Sequence, residues 1–93
     1  MIENFNCKET SKIFAGQHSR KIPGDIQPRA LMKLRQLHKI VSIDQLRAPP
    51  SNRLESLSGN LNGFWSIRIN QQWRVIFRWN GSNASDVQIT DYH

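Results

Sequence analysis

Cys7 is the only cysteine among the 93 residues. A lone thiol excludes an intramolecular disulfide framework and fits a reducing compartment. No His or Asn motif flanks it, so Cys7 reads as a small packing residue and not as a nucleophile. Histidine is scarce too. His18, His38 and His93 lack metal-ligand spacing, and neither His-Glu-x-x-His nor Cys-x-x-Cys occurs, so neither a metal centre nor a cofactor is expected. A Gly-x-Ser-x-Gly elbow and a Walker A loop are also missing, which removes two common hydrolytic schemes. No apolar run approaches the length of a membrane span. The opening Met1-Ile2-Glu3-Asn4-Phe5 has neither the basic start nor the apolar run of a signal peptide. These absences predict a cytoplasmic protein without membrane contact. Acidic residues are the last shortage: 7 Asp plus Glu stand against 13 Lys plus Arg, a formal charge of +6. Such an excess bears on partners and solubility, not on fold.

What is present fits one domain spanning residues 1–93. A chain this short buries a modest share of its surface, but 38% of its residues are apolar. Phe64, Trp65, Trp73, Phe77 and Trp79 are close together in sequence, which places the densest packing in the C-terminal half. Ile2 to Phe5 reads as a short opening strand and Lys8 to Phe14 as a short helix. Pro23-Gly24 is a turn, and Asp25 or Gln27 is a candidate cap for the next helix. From there to Val41 the spacing of Ala30, Leu31, Leu34, Leu37 and Val41 predicts one apolar helical stripe. Arg29, Lys33 and Gln36 lie on the other side, a face that reads as solvated more readily than as a binding site.

After Ala48-Pro49-Pro50 the apolar period changes to two. Arg53 to Leu57 is a weak strand, and Ser58 to Gly63 a hairpin loop. Phe64 to Asn70 and Trp73 to Trp79 alternate, Asn80-Gly81 is a hairpin signal, and Ser85 to Thr90 closes the series. The expectation is α+β: N-terminal helices packed on a C-terminal antiparallel β-sheet.

Alternation brings Arg68, Arg74 and Arg78 to the same sheet face as Gln88, Thr90 and Tyr92. Like charges gathered there repel, and a phosphate backbone would relieve them. Eight of the 13 cations are arginines, whose forked guanidinium suits phosphate. The plain alternative is that these arginines splay into water and stack on Phe64 or Tyr92.

Asn52-Arg53-Leu54-Glu55-Ser56-Leu57, Gly59, Trp65-Ser66-Ile67-Arg68-Ile69-Asn70, Gln72-Trp73-Arg74 and the ending Asp91-Tyr92-His93 together resemble the HigB-type toxins of the RelE superfamily. That resemblance covers nearly the whole chain. It implies a RelE-like fold and a ribosome-dependent endoribonuclease that cuts translated mRNA without a metal, by attack of a ribose 2′-hydroxyl on the adjacent phosphate. It also implies a HigA-like helix-turn-helix antitoxin, with operator DNA contacted only through that partner. Carried onto this sequence, Arg74 stabilises charge on the scissile phosphate, with Arg68 on the same face. Tyr92 stacks on or hydrogen-bonds the displaced nucleotide, and Asp91 or His93 moves protons. Arg20, Lys21, Arg29, Lys33, Lys39 and Arg78 are the candidates for gripping RNA. The chain departs from many relatives where Glu55 and Ser58 stand in place of a histidine and a lysine. A second reading is therefore a weakly or non-catalytic RNA- or ribosome-binding protein, acting mainly as its antitoxin's co-repressor.

Overall fold

From Ala30 to Leu37 apolar side chains recur every three or four positions, and that stretch lies in a helix. From residue 55 they alternate, and that half makes sheet. A computed structural model of the chain describes residues 1–91. Helix α1 (Lys8–Phe14) and helix α2 (Gln27–Lys39) are joined and followed by 3-10 turns at Gly24–Ile26 and Ile43–Arg47. Strands β1 (Glu55–Ser56), β2 (Phe64–Arg68), β3 (Trp73–Trp79) and β4 (Ala84–Asp91) form an antiparallel meander in the order β1-β2-β3-β4. The α+β expectation holds. None of the described helices is long and apolar enough to cross a membrane.

Helix α2 ends before the expected Val41. The backbone turns extended at Ile40 (φ −70, ψ 151), which swings Ile40 into the core and leaves Val41 73% exposed. Ser42 and Gln45 then form a reciprocal capping box that starts the next turn. Neither Asp25 nor Gln27 caps α2. The Gln27 side chain instead reaches back, accepting from the Ser19 N–H (3.1 Å) and donating to the carbonyls of Ser19 (2.8 Å) and Ile22 (2.7 Å). The polar side of α2 is not simply solvated either. Gln36 donates to the Ala48 carbonyl (2.8 Å), and Lys33 donates to Asn52, a fully buried side chain that also donates to the Leu46 carbonyl (3.0 Å).

Ile67 and Ile69, Val75 and Phe77, and Val87 and Ile89 meet Ala30, Leu34 and Leu37 of α2 and Ile13 of α1 in one core. Trp65, Trp73 and Trp79 pack against its margin. Strand β2 stops short of the expected Asn70, because the Asn70 carboxamide oxygen accepts from the N–H groups of Gln72 (2.8 Å) and Trp73 (2.7 Å) and closes a turn. A bulge gives β4 one extra residue between the pairs Arg78↔Ser85 and Ile76↔Gln88. Asp86 sits there at φ 50. The bulge reverses the alternation, so that Ala84 before it and Val87 after it both point inward.

The outer edge of β4 is covered by the chain's beginning. Glu3 and Asn6 donate to the Ala84 (2.7 Å) and Val87 (2.9 Å) carbonyls, and the Ala84 and Val87 N–H groups donate back to Met1 (3.0 Å) and Asn4 (3.2 Å). Where this parallel pairing ends, the buried Thr10 hydroxyl of α1 accepts from the Ile89 N–H at 2.9 Å. An edge that would otherwise offer free backbone groups is thereby closed.

Candidate active site

The sheet face turned away from the helices carries three cross-strand rows. Arg68 faces Arg74, which faces Thr90; Glu55 faces Ser66, then Ile76, then Gln88; Phe64 faces Arg78. Ser66, Ile76 and Arg74 are buried, Arg74 to 5% exposure. The face is thus not an open platform. A charge so enclosed must be hydrogen-bonded or paired. The Arg74 Nη1 donates to the Ser66 hydroxyl at 3.3 Å and lies 3.6 Å from the half-exposed Glu55 carboxylate. Arg68, directly across, keeps its Nε buried with no hydrogen-bond partner among the described residues.

Arg78 is engaged differently. Its guanidinium carbon lies 4.4 Å from the centre of the Phe64 ring, and its Nε is 3.4 Å from the Asp86 carboxylate. The stacking alternative is therefore realised by Arg78 on Phe64, while its Tyr92 part lies outside the described residues. Asp91 is not brought to Arg74. It pairs with Trp73, on the alternation that sends Ile89 into the core, and its carboxylate accepts from Gln72 Nε2 at 3.0 Å. Tyr92 and His93 lie outside the described residues.

Of the basic candidates, Arg20, Lys21 and Lys39 are exposed and lie outside the Arg68–Arg74 row. Arg29 donates to the Ile69 carbonyl at 3.3 Å, which ties α2 to the end of β2. Burial, and then the Arg29 charge, holds the Lys33 amine below its ordinary pKa. His38 packs on Phe14 and accepts the Ile2 N–H at 3.1 Å on Nδ1. Spacing in the sequence does not single out Glu55, which lies 3.6 Å from the Arg74 guanidinium. Its place beside Arg74 depends on the pairing of a two-residue strand, which no periodicity announces.

A family model described as the RelE-like toxin HigB of type II toxin–antitoxin systems matches residues 3–93. Toxin HigB-1 of Vibrio cholerae is 47% identical over 60 residues, 64% of this chain and 63% of that one, so the match spans less than two thirds of that relative. Endoribonuclease HigB of Proteus vulgaris is 26% identical over 93 residues, the full length of both chains. Among solved structures, a YafQ mutant from E. coli is similar in fold with a TM-score of 0.65 and 13% identity, over 98% of this chain and 91% of that one. The YoeB dimer from Staphylococcus aureus gives 0.54 and 21%, over 99% and 94%. With residues 3–93 matched and a meander sheet packed on two helices, the chain belongs to the HigB-like toxins, the RelE-like toxins of type II toxin–antitoxin systems.

Proposed function

We propose that this protein is an endoribonuclease that cuts translated mRNA on the ribosome. The observation that carries the reading is the Arg74 guanidinium, buried at 5% exposure and poised between the Ser66 hydroxyl and the Glu55 carboxylate. A fixed cation in a water-poor site acts strongly on charge that develops beside it. The reaction forms a bond from the ribose O2′ to phosphorus and breaks the bond from phosphorus to O5′. One proton leaves O2′ and one arrives at O5′, giving a 2′,3′-cyclic phosphate and a 5′-hydroxyl. Glu55, 3.6 Å from Arg74, takes the first proton, and Arg74 with Arg68 balances the charge on the phosphate oxygens. By resemblance, Tyr92 stacks on the displaced nucleotide and His93 delivers the second proton. Asp91, on the other alternation, holds the end of β4 through Gln72. The name of the full-length relative from Proteus vulgaris, Endoribonuclease HigB, supports the same activity.

Arg20, Lys21, Arg29, Lys33 and Lys39 hold RNA around this centre, while Arg78 contributes less because its charge is already met by Phe64 and Asp86. The partner that restrains the enzyme is a HigA-like antitoxin, and operator DNA is reached only through it. The departures at Glu55 and Ser58 favour RNA occupation without cutting, and a single experiment separates the two. After brief expression without antitoxin, mapped transcripts should carry new, discrete 5′-hydroxyl ends inside translated frames. Growth arrest with intact transcripts would leave a binding protein in place of an enzyme.

A further inference from the structure

Next to the Arg68–Arg74 row stands a second concentration of positive charge. A cleft of about 560 Å³ opens between α2, the Pro50–Asn52 turn and the β2–β3 connection. Arg29, Lys33, Arg53 and Arg68 line it, with Ser51 and Asn70 as neutral polar neighbours, and no described carboxylate is in its wall. Asp25 lies in an adjoining hollow, on which Arg29 also borders.

Separate pieces of structure bring these cations together. Arg29 is held by the Ile69 carbonyl, and Lys33 by the buried Asn52. Arg53 follows the Pro50–Asn52 turn in a left-handed conformation, φ 46. Among the described residues none of the four has an ion-pair partner. The Arg68 Nε is a buried donor without an acceptor among the described residues. Unpaired cations held side by side repel, and desolvated ones do so more strongly. The lowered pKa of Lys33 has this origin, burial first and Arg29 second. A bound oxyanion would reverse each of these costs. The cleft has the size of a small-ligand site, with room for a phosphate together with its sugar. Through Arg68, which pairs directly with Arg74, it continues into the candidate active site.

We propose that the cleft lined by Arg29, Lys33, Arg53 and Arg68 is a phosphodiester-binding subsite that holds the single-stranded RNA backbone beside the phosphate facing Arg74. The proposal rests on the endoribonuclease reading, and it adds Arg53 and the orphaned Arg68 donor to the RNA contacts. It turns part of a diffuse basic surface into one built site.

Binding of the full chain to an RNA oligonucleotide made uncleavable by a 2′-deoxy nucleotide tests this separately from cutting. Arg29→Gln and Arg53→Gln should each weaken binding by about five- to tenfold and flatten the log–log salt slope by about 0.7, one single-strand phosphate contact. Arg53→Lys should keep the parent's slope. Arg47→Gln removes an equal charge from a residue paired with Asp44 and should do neither. Should Arg29→Gln lower the melting temperature, the exposed Arg53 decides alone. In parallel, the Arg68 Nε–H signal of 15N-arginine-labelled protein should move on addition of the oligonucleotide, and less in Arg53→Gln. Equal affinities and slopes for Arg53→Gln and Arg47→Gln would overturn the subsite. A shift with inorganic phosphate alone, and none with the oligonucleotide, would overturn it in favour of a free-anion site. Loss of cutting with these binding results intact would count against the nuclease reading and leave the subsite standing.

Discussion

Arg74 combines two demands that usually conflict. A guanidinium nearly closed off from water needs acceptors to remain folded, yet a phosphate-stabilising cation must have donors to offer. Among its described partners, Ser66 and Glu55 lie at 3.3 and 3.6 Å, long contacts for a charged donor. An incoming phosphate can therefore compete for the guanidinium while Glu55 turns to the attacking hydroxyl. If Glu55 is the base, Glu55→Gln should lower the cleavage rate on ribosome-bound mRNA about a hundredfold or more. An unchanged rate would reduce Glu55 to a counter-ion of Arg74. Arg78→Ala should cost less than threefold in the same assay, roughly the scale of an exposed cation–π contact, because Phe64 and Asp86 already engage that side chain. The arginine face was legible in the sequence, since alternation over Trp73–Trp79 leaves one assignment of Arg74 and Arg78. The parity of Asp91 with Val87 and Ile89 was legible too, and it argues against a shared face with Arg74. Glu55 was not legible. Its partner depends on how the loop through Gly59–Leu61 returns the chain, and two residues of strand carry no period.

At the scale of elements, the molecule is held by joints that lie outside its helices and strands. The first six residues run along β4, and Thr10 continues their work from α1. Thr10→Val keeps the shape but leaves the Ile89 N–H buried without an acceptor, at a cost of about 1–3 kcal/mol. Urea denaturation should show that loss as a lower midpoint with an unchanged slope; a loss well under about 0.5 kcal/mol would mean the edge is held elsewhere. A second joint links α1 to the stretch before α2, where the Ser19 hydroxyl donates to Glu9 at 2.6 Å. That bond holds the Glu9 carboxyl below its usual pKa, against the pull of burial and with help from Lys12. A depressed carboxyl contributes stability above its unfolded pKa and loses it as pH falls through the folded one. On acidification below about pH 4.5, the parent should therefore lose stability more steeply than Ser19→Ala. Parallel curves for the two proteins would contradict the assignment. Neither joint was written in periodicity, because both depend on side chains meeting backbone or partner groups across the fold. The same holds for the early end of α2, where an extended Ile40 replaces Val41 in the core. Helix and strand extents elsewhere followed the apolar period to within a few residues.

Taken whole, the molecule is a basic body of formal charge +6 whose cations are unevenly employed. Some are tied to aromatic or acidic neighbours, some gather around Arg68 without an ion pair among the described residues, and one is enclosed beside Glu55. The family is that of type II toxin–antitoxin systems, which implies an antitoxin partner. Co-expression of a HigA-like protein from the same operon should yield a stable complex and restore growth, and recovery of the toxin alone would argue against that partner. The contribution of Arg74 to cutting can be measured in a purified system. Purified parent and Arg74→Ala are added to ribosomes translating a defined mRNA, and single-turnover cleavage is followed. Loss of a fixed charge stabiliser of this kind costs about 2.7–4 kcal/mol in the transition state. The rate should fall about a hundredfold or more in Arg74→Ala, with the fold unchanged. Cleavage by Arg74→Ala at the parent's rate, at the same positions, would contradict that role for Arg74.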